Sequence, residues 1–169
     1  MNVRLILTCL TISVITAQSG ERLRLIHADI LENVTDSEGK AVQHLRGNVK
    51  FQKGESVISC EKGYYQNREG IGSFAGDVQM VKNKQILTAD SIRINSNDDI
   101  VTAYGSVHLQ DSEYGLKSRL LTYFSEADSG IAEGNVEFIQ KGQTITAGKV
   151  TYVKETNDAA SYRAEEDVI

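Results

Sequence analysis

Apolar and polar residues alternate with period two along most of the chain, and the alternation itself recurs every 29 residues. Leu45, Gly47, Val49 and Phe51 share one face. So do Phe74, Gly76, Val78 and Met80, then Val101, Ala103, Gly105, Val107 and Leu109, then Ala132, Gly134, Val136 and Phe138. Lys50, Gln79, His108 and Glu137 fall on the opposite face, as expected of half-buried strands with one solvated side. The sharpest element is Gly-x-Val: Gly47-Asn48-Val49, Gly76-Asp77-Val78, Gly105-Ser106-Val107 and Gly134-Asn135-Val136.

The second half of each unit keeps the same period. Ile58, Leu87, Leu116 and Ile145 form a large apolar column, and two residues later Cys60, Ala89, Ser118 and Ala147 form a small one. Gly63, Ile92, Leu121 and Val150 follow, then Tyr65, Ile94, Tyr123 and Tyr152. Between the small column and the next, the parity slips by one at the same place in each unit, which predicts a bulge or bend. Turn residues fall twice per unit, at Lys53-Gly54, Asn83-Lys84 and Lys141-Gly142 in one series and at 67–70, 96–99 and 125–128 in the other. No segment has helical periodicity. The expectation is an all-β chain of roughly nine or ten strands, with units at about 47–75, 76–104, 105–133 and 134–162. A degenerate half-copy, Ile26-His27-Ala28-Asp29 with Leu31, precedes them, and Tyr162–Ile169 fits as a last partial strand. Glycine weakens a strand interior, so four at one period mark corners or close approaches of backbone between sheet layers. The expected shape is two facing sheets or one sheet folded over on itself, its units stacked as in a solenoid or elongated jelly roll.

Residues 1–17 stand apart from this pattern. They hold one cation, Arg4, no acid, and an apolar run from Leu5 to Ile15 before Thr16-Ala17. This reads as a secretory signal peptide cut after Ala17, leaving 18–169 as one domain. Its roughly 13 apolar positions fall short of the ~20 that a spanning anchor needs. The apolar run before Cys9 is too short for a lipoprotein signal. Loss of Arg4 takes the net charge from −5 to −6 and leaves Cys60 as the one cysteine of the mature chain, where it reads as a small buried residue. The acidic balance excludes a general nucleic-acid binder, whose affinity comes from clustered Lys and Arg.

Catalytic chemistry is not evident. His27, His44 and His108 are scattered, and no His, Cys and Asp cluster has metal-ligand spacing. Gly70-Ile71-Gly72-Ser73-Phe74-Ala75 matches a dinucleotide-binding fingerprint, but an alternating strand follows where a helix is required. No enzyme activity, metal or cofactor is expected.

Thr88-Ala89-Asp90, Ala132-Glu133-Gly134-Asn135-Val136 and the Tyr123/Tyr152 column, in register over about 25–152, resemble the OstA-like family. That group includes the periplasmic LptA and LptC and the periplasmic domain of LptD, which move lipopolysaccharide to the outer membrane. The resemblance implies an elongated open β-jellyroll with a hydrophobic groove that holds acyl chains while the sugar head group stays in water. It also implies a location in the periplasm, bridging inner and outer membranes. On the residues' own terms the groove would be lined by Val49, Phe51, Val78, Met80, Val107, Leu109, Val136 and Phe138, with Cys60, Ala89, Ser118 and Ala147 setting its width. Lys50 and Arg93 are candidate cations for a projecting anionic head group. Arg22, Arg24 and His27 at one end and Glu165, Glu166 and Asp167 at the other favour head-to-tail strand addition to related jellyroll domains or to further copies of the chain. The competing reading is a structural or adhesive β-solenoid with no ligand, its interior filled by its own side chains.

Overall fold

The structure is a computed structural model that describes residues 22–112, 114–125, 127, 129–140, 142–154 and 160–165. The expected signal segment, with Cys9, and the acidic residues Glu166 and Asp167 lie outside the described residues. Among the described residues every regular element is a strand. They are β1 (Arg24–His27), β2 (Ile30–Thr35), β3 (Ala41–Lys53), β4 (Ser56–Gln66), β5 (Ile71–Lys82), β6 (Gln85–Asn95), β7 (Ile100–Gln110), β8 (Tyr114–Phe124), β9 (Ser129–Gln140), β10 (Gln143–Lys154) and β11 (Ala160–Glu165). All belong to one antiparallel sheet in the order β1-β3-β4-β5-β6-β7-β8-β9-β10-β11, with β2 also on β3.

The count exceeds the nine or ten expected because the edge strand is broken. β1 covers the second half of β3 and β2 the first half, with Ala28 and Asp29 between them. The Asp29 N–H bonds to the Gly47 carbonyl at 2.9 Å, so the half-copy in the sequence is an edge strand bent where its neighbour bends. At the far end β11 pairs with Lys149–Lys154 of β10.

The bend is a two-against-one bulge carried by the glycine-bearing strand of each unit, β3, β5, β7 and β9. Arg46 opposes Lys62 and Val49 opposes Cys60, so Gly47 and Asn48 together face Glu61. Gly76-Asp77 faces Glu61 on one side and Asp90 on the other. Gly105-Ser106 and Gly134-Asn135 interrupt their ladders in the same way. The parity slip follows directly: Phe74 to Val78 spans four residues on the bulged strand, while their partners Ile92 and Ala89 are three apart.

The glycines are required twice over at these corners. Their φ angles are 72°, 80°, 93° and 79°, in the left-handed region where a Cβ is penalised. A Cβ at Gly105 would also sit 2.0 Å from Asp90 Oδ2, and one at Gly47 2.3 Å from Asp29 Oδ2. The close approach expected from the sequence is therefore real, but its partner is the corner side chain of the preceding strand and not an opposing sheet layer. The next residue is also left-handed in three units, at Asn48, Asp77 and Asn135, side-chain types that tolerate that region.

Because the bulges stack in register, the sheet folds along them into two leaves. The first leaf carries Phe51, Met80, Leu109 and Phe138 and ends in short turns such as Asn83-Lys84. The second carries Phe74, Ile92, Val101, Leu121 and Val150 and ends in four-residue connections at 67–70, 96–99 and 125–128, the positions expected from sequence. Gly70 belongs to one of these connections and β5 follows it, which disposes of the dinucleotide fingerprint. The leaves meet face to face: the Phe51 ring lies 5.4 Å from Tyr65 and 5.0 Å from Phe74, both on the opposite leaf. One core runs the length of the fold between them.

An apolar cleft between the two leaves

The interior is not uniform along the stack. Its large apolar column is 0% exposed at Ile58, 3% at Leu87, 8% at Leu116 and 38% at Ile145. At the β1 end the leaves are sealed by their own side chains. Leu23 is buried there, its carbonyl accepts a 2.9 Å bond from the Tyr65 hydroxyl, and its methyl group lies over the bare face of Gly72. A strut crosses the mouth beside it, Lys53 Nζ to Asp99 Oδ1 at 3.1 Å, with the two side chains only 1% and 13% exposed. Lys53 ends β3 on the first leaf and Asp99 sits in a connection of the second, so the pair ties tip to tip.

Past that strut the leaves part. A space of about 350 Å³, solvent at its mouth included, lies between Met80, Leu87 and Leu109 on the first leaf and Val101, Ala103, Leu121 and Tyr123 on the second. A second space of about 500 Å³ shares Leu109, Leu121 and Tyr123 with it. It continues past Tyr114, Leu116 and Phe138 to Ala132, Val150, Tyr152 and Tyr162. Together they make an apolar cleft from β5 to β11. At about 4.8 Å per strand, those six steps span roughly 29 Å.

Of the residues expected to line a groove, Met80, Leu109 and Phe138 face this cleft. Val49, Phe51, Val78, Val107 and Val136 are fully buried core, nearer the fold line. Cys60, Ala89 and Ser118 are also buried, and Ala147 is half-buried, all beside the corners. At two of these four positions the side chain also makes a local bond. The Cys60 thiol donates to the Lys62 carbonyl at 3.1 Å and the Ser118 hydroxyl to the Leu120 carbonyl at 3.0 Å, each satisfying an acceptor next to the bulge. Burial pushes the Cys60 thiol up to about 11. The second-leaf wall was missed as a lining, although the Leu121/Val150 and Tyr123/Tyr152 columns were visible. Their signal was the same 29-residue repeat. Lys50 and Arg93 are exposed between buried neighbours, on the outer face of the sheet and away from the mouth.

The mouth itself has a polar margin on the first leaf. Gln85 Nε2 donates to the Tyr114 hydroxyl at 3.1 Å, both residues buried. Burial raises the ionisation of Tyr114 and of Tyr162 far above the ordinary tyrosine value. Among the described residues no group of His, Cys, Asp and Glu is placed to hold a metal ion.

Comparison with known proteins agrees with this architecture. The fold is similar to the crystal structure of LptH from Pseudomonas aeruginosa, the LptA-homologous periplasmic component of its lipopolysaccharide transport device. The TM-score is 0.63 at 10% identity, over 74% of this chain and 99% of that one, a likeness of fold alone. No curated protein matches the chain. Residues 58–158, which hold the cleft lining apart from Tyr162 and three of the four corners, match the family described as "LptA/(LptD N-terminal domain) LPS transport protein". With that match covering more than half its length, the chain belongs to the LptA and LptD N-terminal-domain family of lipopolysaccharide-transport proteins.

Proposed function

We propose that this protein is an exported, periplasmic component of lipopolysaccharide transport that holds acyl chains in the cleft between its leaves. The observation that carries the reading is the apolar space running between the leaves from Met80 to Tyr162. Burial is worth about 0.8 kcal/mol per CH₂, so a twelve-carbon chain gains up to roughly 9 kcal/mol, close to what it loses on leaving a bilayer. Such a cleft holds lipid without trapping it. A head group projects past the polar margin into water, and directional drive comes from elsewhere. Nothing in this role calls for catalysis.

The two sheet edges supply the partner surfaces. β2 is exposed along its whole length, with Ile30, Leu31 and Val34 outward, and β11 closes the other end. Unpaired edges invite strand addition, and joining β11 of one domain to β1 and β2 of the next continues the sheet from jellyroll to jellyroll. The domain boundary at residue 18 and the groove assignments of Met80, Leu109 and Phe138 belong to the same proposal.

The filled β1 end favours a second reading, a ligand-free solenoid. Periplasmic purification followed by mass spectrometry of bound lipid decides between them. Co-purifying lipopolysaccharide, crosslinked by a photoreactive residue at Leu116 but not at Val57 on the outer face, is the expected result. Lipid-free protein from a lipopolysaccharide-producing host would favour the solenoid.

A further inference from the structure

The outer face of the second leaf is cationic, on a chain whose net charge is −5. Arg46 on β3, Lys62 and Tyr64 on β4, Arg93 on β6 and Tyr104 on β7 are all exposed there, each beside buried neighbours that point inward. From β3 to β8 the outward positions of this leaf include no Asp or Glu. The first acids met are Glu32 on β2, beside His44, and Glu133 on β9, which pairs with Lys149 at 3.4 Å. Arg46 stands directly opposite Lys62 in the ladder, and like charges so placed repel. Among the described residues neither of them, nor Arg93, has a carboxylate in ion-pairing range. The carboxylates of the nearby corners are turned elsewhere: Glu61 lies over Gly76, Asp90 lies over Gly105, and Asp29 accepts from Asn48 at 2.9 Å. The three cations extend over three strand steps, about 14 Å.

Aromatic rings stand among these charges. Tyr64 is 49% exposed and Tyr104 44%, and the Tyr64 ring is braced edge to face against His44 at 4.7 Å. No aliphatic side chain on this stretch of the face is comparably exposed. Uncompensated guanidinium and ammonium groups call for carboxylates or phosphates, and exposed phenol rings call for flat faces to stack on. A bilayer is the poorer fit, because a face that enters the lipid interface presents exposed Leu or Phe beside its cations. The face is also a side wall of the stack, since the two sheet edges lie at its ends. A bridge between two membranes meets lipid at its ends and the cell wall along its sides. We infer that this face docks peptidoglycan, with Arg46, Lys62 and Arg93 taking its carboxylates and Tyr64 and Tyr104 stacking on its sugar rings. The inference rests on the reading of the protein as a periplasmic bridge, and it adds a lateral partner to that reading.

The test mixes the mature protein with purified peptidoglycan sacculi and measures the fraction that sediments with them. Wild type is compared with the triple variant Arg46→Gln, Lys62→Gln, Arg93→Gln. A second triple variant, Lys50→Gln, Lys84→Gln, Lys117→Gln, removes the same charge elsewhere, and circular dichroism checks the sheet in each. Wild type should sediment with the sacculi. Affinity should fall about tenfold in the first variant, the scale of three exposed ion pairs, and stay within about twofold in the second. Amidating the sacculus carboxylates, which needs no variant, should weaken wild type as much as the first variant does, and so should about 0.5 M salt. Wild type left in the supernatant, equal losses in the two variants, or phosphatidylglycerol vesicles that capture wild type as well as sacculi do would each overturn the inference. Lipid crosslinking at Leu116 reads the transport proposal separately and should be the same in wild type and the first variant. Sacculus binding absent with crosslinking kept refutes the wall contact alone, and crosslinking absent with sacculus binding kept refutes the acyl-chain reading alone.

Discussion

Asp99→Asn should unfold this protein more readily than almost any other single-atom change, because it strands a buried ammonium. Lys53 is 1% exposed and its partner lies 3.1 Å away across the mouth of the cleft. At an effective dielectric near 20 the attraction lost is about 5 kcal/mol, a gross figure set against the desolvation both groups have already suffered. Removing one partner of such a pair typically costs about 3–5 kcal/mol net. Asn is the right probe, since Asp99 has φ 51° and Asn accepts that backbone without new strain. The reverse change, Lys53→Met, should cost less, about 1–2 kcal/mol. It leaves a carboxylate that is 13% exposed and can recover some water, and it fills the vacated space with an apolar stem. The double variant should then lie close to Lys53→Met alone, giving a coupling energy of about 3–5 kcal/mol, the whole cost of Asp99→Asn. Urea titrations monitored by circular dichroism measure all four proteins, and thermal midpoints should fall by about 2–4 °C for each kcal/mol lost. If Asp99→Asn stays within about 0.5 kcal/mol of wild type, or if the two changes add, the strut is not an electrostatic unit and the reasoning fails.

Other expectations follow from the corners and the cleft. Gly105→Ala should cost at least about 1–2 kcal/mol from its left-handed φ of 93°, and more from the contact with Asp90, whereas Gly115→Ala, with open space around it, should be neutral or slightly stabilising; paired urea curves compare them. Ala132→Phe should fill the larger space and abolish lipid crosslinking while leaving the far-ultraviolet spectrum intact, whereas Ala89→Phe should disturb packing at the corner first. Cys60 should resist iodoacetamide in the folded protein at pH 8 and react on unfolding, because burial holds its thiol protonated. The same shift fixes the sign of alkaline sensitivity. Between an ordinary thiol near 9 and the folded value of about 11 the native state holds the extra proton, so stability present below pH 9 is lost as pH rises through that window. A stability that rose over that range would contradict the burial of the thiol.

The elements of this fold were legible because repetition amplified a weak signal. One Gly-x-Val triplet says little, but four in register placed the corners, and one slip of parity repeated in each unit located the bulge. Turn positions came from the same source, since Asn67, Ser96 and Ser125 open the connections where the spacing put them. The cleft was less legible. Phe51 and Leu109 occupy equivalent positions of the repeat, yet one is sealed core and the other borders open space. Which of them meets solvent depends on how far the two leaves separate at that rung, and that is set by cross-leaf neighbours such as Leu23 and the Lys53–Asp99 pair. Those contacts join residues 42 and 46 positions apart, a range over which no local pattern carries information. The small column carries a second demand that the sequence does not separate from width. Cys60 and Ser118 are short because a carbonyl beside the bulge needs a donor, a demand that looks in sequence like a demand for room.

The bulge also makes the chain a ruler with fixed graduations. Each 29-residue unit contributes two strands, hence about 9.6 Å of length, and returns the backbone to the same face and the same height. A duplication or deletion of one whole unit would change the reach of the molecule while preserving its cross-section. A change of any other size would bring Gly76 or Gly134 out from under its neighbour's corner residue and turn inward-facing side chains toward water. Lineages of such proteins should therefore differ in span by whole increments, and the distance a given chain can bridge is countable from the number of its glycine corners.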